Sequence, residues 1–209
     1  MTEITRYEDS FFYYGWKPHN VASTPGNRLS FFDIRNNDGS KRSRDILTEL
    51  SSAYWIKGEK WLVNRLDRDT AWLLYFAKNN DIHDLYKTYQ DDNRVVKHYI
   101  ADIRGHPWWE NILIDTPLTH HPSSPDRMIL TDTMNPKHIN CSTQCSLMFY
   151  DKISSLSTIN VTIHRWARHQ IRCHMSSIDC PIIGEKIYKK NKDKENNLHL
   201  WSVGISTLD

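Results

Sequence analysis

Val95-Val96-Lys97-His98-Tyr99-Ile100-Ala101-Asp102-Ile103 decides the fold class. Residues 95, 97, 99, 101 and 103 share one face of an extended chain, and residues 96, 98, 100 and 102 share the other. The first set carries Val, Tyr, Ala and Ile around a single Lys, a two-residue period that belongs to a strand rather than a helix. Upstream, Phe11–Trp16 reads as an aromatic strand stopped at Lys17-Pro18, and Ala71–Ala77 as a buried strand. Downstream, residues 142–150, 158–166 and 198–205 are further strand candidates. Residues 105–136, rich in Pro, Asp and His, read as loops around one short strand at Ile112–Ile114. Helical spacing occurs over residues 43–52, over residues 81–89 with Ile82, Leu85 and Tyr89 on one side, and over residues 168–178. Pro25-Gly26 marks a turn, and residues 189–197 form a charged loop. Strands that follow one another without regular helical crossovers predict an α+β fold with a mostly antiparallel sheet.

The chain has 209 residues, 25% of them charged, and a formal net charge of +2. That length suits one domain with a core that needs no staple. The net charge alone does not announce a nucleic-acid binder. Mean hydropathy is −0.65, and the longest apolar run, Ala71–Ala77, is far too short to span a bilayer. The polar N-terminus has neither a signal-peptide nor a transit-peptide composition, so the expected location is the cytoplasm. Cysteines at 141, 145, 173 and 180 then argue against a disulfide framework. Their first spacing is C-x3-C, looser than paired structural zinc ligands prefer, and they read as small buried residues despite His169 and His174 nearby. No H-E-x-x-H or H-x-x-x-H pattern appears, which disfavours a metal-dependent hydrolase.

Three segments carry chemistry. Asn64-Arg65-Leu66-Asp67-Arg68-Asp69-Thr70 places two carboxylates and two guanidiniums between apolar strands. Surface ion pairs have the same composition, but a carboxylate at the mouth of a buried sheet can also serve as a nucleophile or base. Lys97 and Tyr99 share the apolar face of the alternating strand, where Tyr99 reads equally as a core residue. The third segment is His164-Arg165-Trp166-Ala167-Arg168-His169-Gln170-Ile171-Arg172-Cys173-His174. Between Val161 and Glu195 there are eight Lys or Arg against four Asp or Glu, a local basic excess with Trp166 among the arginines. Such a mixture suits a surface for phosphates and bases.

In this order and spacing the three segments resemble the RluA-like branch of the pseudouridine synthases. The family pattern H-R-L-D-x-x-T-S-G followed by an apolar strand ending in A-K is met by residues 64–72 and then Leu73–Lys78. K-x-Y-x-A with a following glycine is met by Lys97, Tyr99, Ala101 and Gly105. G-R-x-H-Q-I-R-x-H, then P-I-x-G-D and a tyrosine, is met by His169–His174, Pro181–Glu185 and Tyr188. Lys17-Pro18 and Thr143 are weaker echoes. The likeness spans residues 11–190. There are departures: Asn64 replaces the histidine, Ala71-Trp72 the Ser-Gly, and Trp166-Ala167 the Gly-Arg. If the second glycine is left-handed in the family, Trp166 there costs about 1–2 kcal/mol. Arg165 or Arg168 would then stand in for the missing arginine.

The resemblance implies a single catalytic domain over residues 1–209. Its fold would be a central mixed, mostly antiparallel sheet flanked by helices and loops. The implied reaction is conversion of uridine to pseudouridine in tRNA or large-subunit rRNA, by a monomer that uses no metal, nucleotide or organic cofactor. It makes Asp67 the catalytic carboxylate, Arg172 its pairing guanidinium and Tyr99 the ring that stacks on the uracil. Arg65 is expected to fill the gap left by a flipped base. Arg68, Arg165, Arg168, His169, Gln170, Lys189 and Lys190 are expected at the RNA. The rival reading is a catalytically inactive RNA-binding relative, supported by Ala71-Trp72 and Trp166-Ala167.

Overall fold

The computed structural model describes residues 6–23, 62–124, 126–188 and 195–208. The chain divides into two compact units, residues 1–88 and 89–209. The helix expected over 43–52, the turn at Pro25-Gly26, and Lys189 and Lys190 lie outside the described residues.

In the first unit β1 (Arg6–Glu8), β2 (Phe12–Lys17) and β3 (Ala71–Ala77) form an antiparallel array. Asp9 shapes the β1–β2 turn, accepting from the amides of Phe11 and Phe12 at 2.7 Å and from the Tyr14 hydroxyl. The aromatic run makes β2 by packing across the pair: Tyr14 meets Tyr75 edge-on at 5.0 Å. Leu74, Phe76 and Ala77 are buried, so β3 is a core strand as its apolar run predicts. Helix α1 (Asn80–Asp91) is capped by the Asn79 side chain, which accepts from the amide of Ile82 at 2.9 Å. It buries Tyr86, while Leu85, expected on its inner side, is 47% exposed. The helix ends at Asn93 in the left-handed region (φ 57), with the Arg94 amide donating to the Tyr89 carbonyl at 2.8 Å.

In the second unit the strand order is β10-β4-β9-β8-β5, every pair antiparallel. These strands are β4 (Val95–Arg104), β5 (Asn111–Ile114), β8 (Thr143–Asp151), β9 (Leu156–Ile163) and β10 (Leu200–Thr207). All five odd-numbered residues from Val95 to Ile103 are buried, as the alternation predicts. They share the core with Ile159, Val161 and Ile163 of β9 and Leu200 of β10. The expected strand over 158–166 ends at Ile163, the last residue of β9 to pair, with Lys97 on one side and Thr143 on the other. Trp166 lies beyond it, exposed.

Two elements depart from the sequence reading. The stretch read as loops holds a hairpin of three-residue strands, β6 (Leu118–His120) and β7 (Met128–Leu130). Its buried Leu118 and Met128 close a small core with Cys141, Ala167 and Cys173. Strands so short carry no measurable period, so Pro and Ser between them dominated the pattern. Helix α2 covers Gln170–Ser177, two residues later than the spacing suggested, because His169 takes φ 51 at its N-cap. Among the described residues no helix is long and apolar enough to cross a membrane.

Candidate active site

Asp67 sits in a turn closed by the Thr70 amide donating to the Asp67 carbonyl at 3.1 Å. The turn is pinned through its backbone. Ser23 and Leu66 exchange hydrogen bonds: the Leu66 amide donates to Ser23 Oγ at 3.0 Å, and that hydroxyl donates to the Leu66 carbonyl at 2.8 Å. His19 donates from Nδ1 to the Asp69 carbonyl at 2.9 Å, and Arg68 donates from Nε to the Asn20 carbonyl at 3.1 Å. Asn64, which stands where the family has histidine, imitates a strand residue. Its Oδ1 accepts from the Tyr75 amide at 2.7 Å and its Nδ2 donates to the Leu73 carbonyl at 3.4 Å.

Lys17 is the buried anchor of this half. Its Nζ donates to the carbonyls of Val21 at 2.7 Å, Arg68 at 3.0 Å and Pro18 at 3.1 Å, using all three ammonium protons. Burial draws that ammonium down to about 7, against the opposing pull of Asp69 and Asp67. Around it Asp67 and Asp69 are half-buried while Arg65 and Arg68 are exposed. The turn therefore offers guanidiniums outward.

Tyr99 and Lys97 lie on the buried face of β4, Tyr99 opposite Val161 on one side and Ser202 on the other. Burial lowers the Lys97 ammonium to about 8. Arg172, on α2, is 2% exposed and forks onto Glu185, Nε to Oε2 at 2.7 Å and Nη2 to Oε1 at 2.9 Å. Burial alone would push the Glu185 carboxyl up. The hydrogen bonds and charge of Arg172, with the amides of Ile187 and Tyr188, outweigh it and hold Glu185 below the usual carboxylate range. Glu185 follows Gly184 at φ 77, where an added Cβ would stand 1.9 Å from the Asn197 carbonyl oxygen, so the turn that aims the carboxylate requires glycine.

A buried relay fixes the start of α2. Gln170 accepts from the Ala167 amide at 2.9 Å and donates to the Ser142 carbonyl at 2.9 Å and to Thr143 Oγ1 at 3.2 Å. His174 Nε2 donates to the Thr116 carbonyl at 2.9 Å, which leaves Nδ1 to accept from the Thr143 hydroxyl at 2.8 Å. Burial lowers the His174 pKa and favours this neutral ring. The Tyr188 hydroxyl accepts from the Met128 amide at 2.9 Å and so donates to His169 Nδ1 at 3.0 Å. Of the residues expected at RNA, His169 and Gln170 are thus buried, and their described bonds run to their own chain. Arg168 pairs with Asp126 at 3.0 Å and Arg165 donates to Asn93 Oδ1 at 2.6 Å.

The left-handed residue lies elsewhere than the sequence suggested. Trp166 does not have a positive φ; Trp72, at the other glycine position of the family, has φ 80. All four cysteines are thiols, and burial pushes Cys141 and Cys173 up to about 11 and Cys145 up to about 12. Among the described residues no group of three or more His, Cys, Asp or Glu is arranged to hold a metal ion.

Comparison with known proteins supports the family that the sequence resembles. The family model for RNA pseudouridylate synthase matches residues 14–177, and the chain belongs to that family. The RNA pseudouridine synthase YjbO of Bacillus subtilis is 29% identical over 149 residues, covering 70% of this chain and 50% of its own. An RNA pseudouridine synthase of Zymomonas mobilis is 29% identical over 180 residues, 82% of this chain and 78% of its own. The ribosomal large subunit pseudouridine synthase D of Nitrosomonas europaea is 28% identical over 157 residues, 69% of this chain and 43% of its own. The chain thus spans about half the length of several curated relatives it matches. Human RNA Pseudouridylate Synthase Domain Containing 1 superposes with a TM-score of 0.74 at 17% identity, over 97% of this chain and 78% of that one. Human RNA Pseudouridylate Synthase Domain Containing 4 gives 0.68 at 18% identity, over 95% and 82%. Both share its fold.

Proposed function

We propose that the chain isomerises uridine to pseudouridine in structured RNA, with tRNA or large-subunit rRNA as the substrate class. It would act as one catalytic domain over residues 1–209, as a cytoplasmic monomer without a cofactor. The bond between C1′ and N1 breaks, the uracil turns, C5 bonds to C1′, the C5 proton leaves and N1 takes up a proton, so atoms balance without redox chemistry. Asp67 is the proposed catalytic carboxylate, attacking at C1′ or taking a proton. The observation that supports this reading is the turn itself, whose backbone is pinned by Lys17, Ser23 and His19 and which sets Asp67, half-buried, between the exposed Arg65 and Arg68. Tyr99 is the proposed ring against the uracil, and Arg172 the guanidinium that orients the reacting group, itself aligned by Glu185. A uridine in a stacked helix must leave it to react, at a cost of a few kcal/mol. Arg65, exposed beside Asp67, is the proposed occupant of the gap. Arg68, Arg165 and Arg168 are the proposed phosphate contacts.

The test is tritium release from tRNA and rRNA labelled at uridine C5, made from cells lacking this protein. The wild type is expected to release tritium and Asp67→Asn to release none. Equal release from both removes Asp67 from the chemistry. RNA binding without release from either establishes the inactive relative instead.

A further inference from the structure

We infer that Trp16 and Trp72 form a stacking platform for an unpaired base of the RNA beside the reacting uridine, an inference that rests on the RNA reading of the Asp67 turn. The β2–β3 register sets Lys17 opposite Trp72 and Trp16 opposite Leu73. Residues directly opposite one another share a face of the sheet. Lys17, Leu74 and Phe76 make that face the inner one, all of them at most 1% exposed. A regular strand would therefore drive the Trp72 indole inward, against the buried ammonium.

It lies instead against Trp16, with ring centroids 5.0 Å apart and planes inclined by 32°. The φ of 80 at Trp72 accounts for this, because it breaks the alternation and turns the ring out of the Lys17 face. Trp16 is 40% exposed and Trp72 half-buried, so the stacked pair presents aromatic surface to solvent. A bulky residue in the left-handed region is a true outlier, and such outliers gather at functional sites. Glycine would hold this backbone without strain but would bring no ring. The tryptophan therefore adds a surface that the backbone does not need at this position.

The surroundings select the occupant. Trp72 follows Asp67 by five residues, and its cross-strand partner Lys17 bonds the Arg68 carbonyl, so the two tryptophans lie at the end of the β2–β3 pair next to the turn. That turn exposes Arg65 and Arg68 while its aspartates are half-buried. Aromatic surface beside outward guanidiniums is the pattern that receives a base and its flanking phosphates; an apolar protein partner would leave those charges unanswered.

The test measures the affinity of the full chain for a fluorescein-labelled RNA stem–loop with unpaired loop uridines, by anisotropy. Trp16→Ala and Trp72→Gly are each expected to weaken binding by about 5- to 150-fold. Trp16→Phe, which keeps a ring, should bind close to wild type. Glycine suits φ 80, so an unchanged melt for Trp72→Gly separates the lost ring from a lost fold. Unchanged affinity in both Trp variants overturns the platform, whether the pair covers a protein or only its own sheet, and leaves the isomerase reading standing on its tritium assay. A wild type that binds no RNA and releases no tritium overturns both.

Discussion

At residue 185 a carboxylate with no exposure meets a guanidinium with almost none. Removing the charge from one side of such a pair costs about 3–5 kcal/mol, because the other charge stays buried without its partner. Glu185→Gln should lower stability by about that amount, measured by urea unfolding at neutral pH. The sign with pH follows from the depressed carboxyl. The folded state holds it ionised below its unfolded value of 4.5, so its contribution is complete above that value and is lost as pH falls through the folded one. Glu185→Gln should therefore flatten the acid limb of the stability curve. Arg172 was legible from its motif, but this partnership was not. The two residues are 13 apart, and Gly184-Glu185 showed in sequence only as the tail of a motif. Trp72 is the opposite case: the missing glycine was plain in the sequence, but only backbone geometry showed that it, and not Trp166, sits in the left-handed region.

Helix α2 depends on neighbours more than on its own composition. It is eight residues long, its N-cap has no side-chain hydrogen bond, and residues 170–175 are all buried. A helix so short is marginal alone. The Thr143 hydroxyl joins it to β8 by donating to His174 and accepting from Gln170. Thr143→Val keeps the shape and leaves two buried polar groups without their partner, so it should cost about 1–3 kcal/mol for each group left unsatisfied, read from thermal or urea melts. The sequence reading placed this helix over residues 168–178, carrying His169, Ile171 and Arg172. It missed β6 and β7, whose three residues each bury Leu118 and Met128 through tertiary packing rather than through a pattern.

For the whole molecule, the net charge of +2 understates its expected behaviour toward RNA. The outward charge lies on Arg65, Arg68 and Arg165, while Lys17, Lys97 and Arg172 are buried. Each phosphate neutralised releases counterions, so affinity should fall with salt. Replacing Arg65 or Arg68 by Gln should weaken binding across sequences and reduce the magnitude of the slope of log K against log salt by about 1, measured by anisotropy between 50 and 200 mM salt. An unchanged slope would remove that arginine from the phosphate contacts. Composition could not sort these cations, because burial and exposure are properties of the packed chain.

By itself the sequence determined the α+β class, the principal strands and the family, because alternation and motif spacing are local regularities that survive without coordinates. It also singled out Asp67, Tyr99 and Arg172 as the residues to test. Only the tertiary structure decided that Lys17 anchors the Asp67 turn, that Arg172 forks onto Glu185, and that Trp72 turns outward onto Trp16. The reason is physical. A period reports which face a residue takes, whereas burial, hydrogen-bond partners and a left-handed backbone depend on segments far apart in the chain meeting in space.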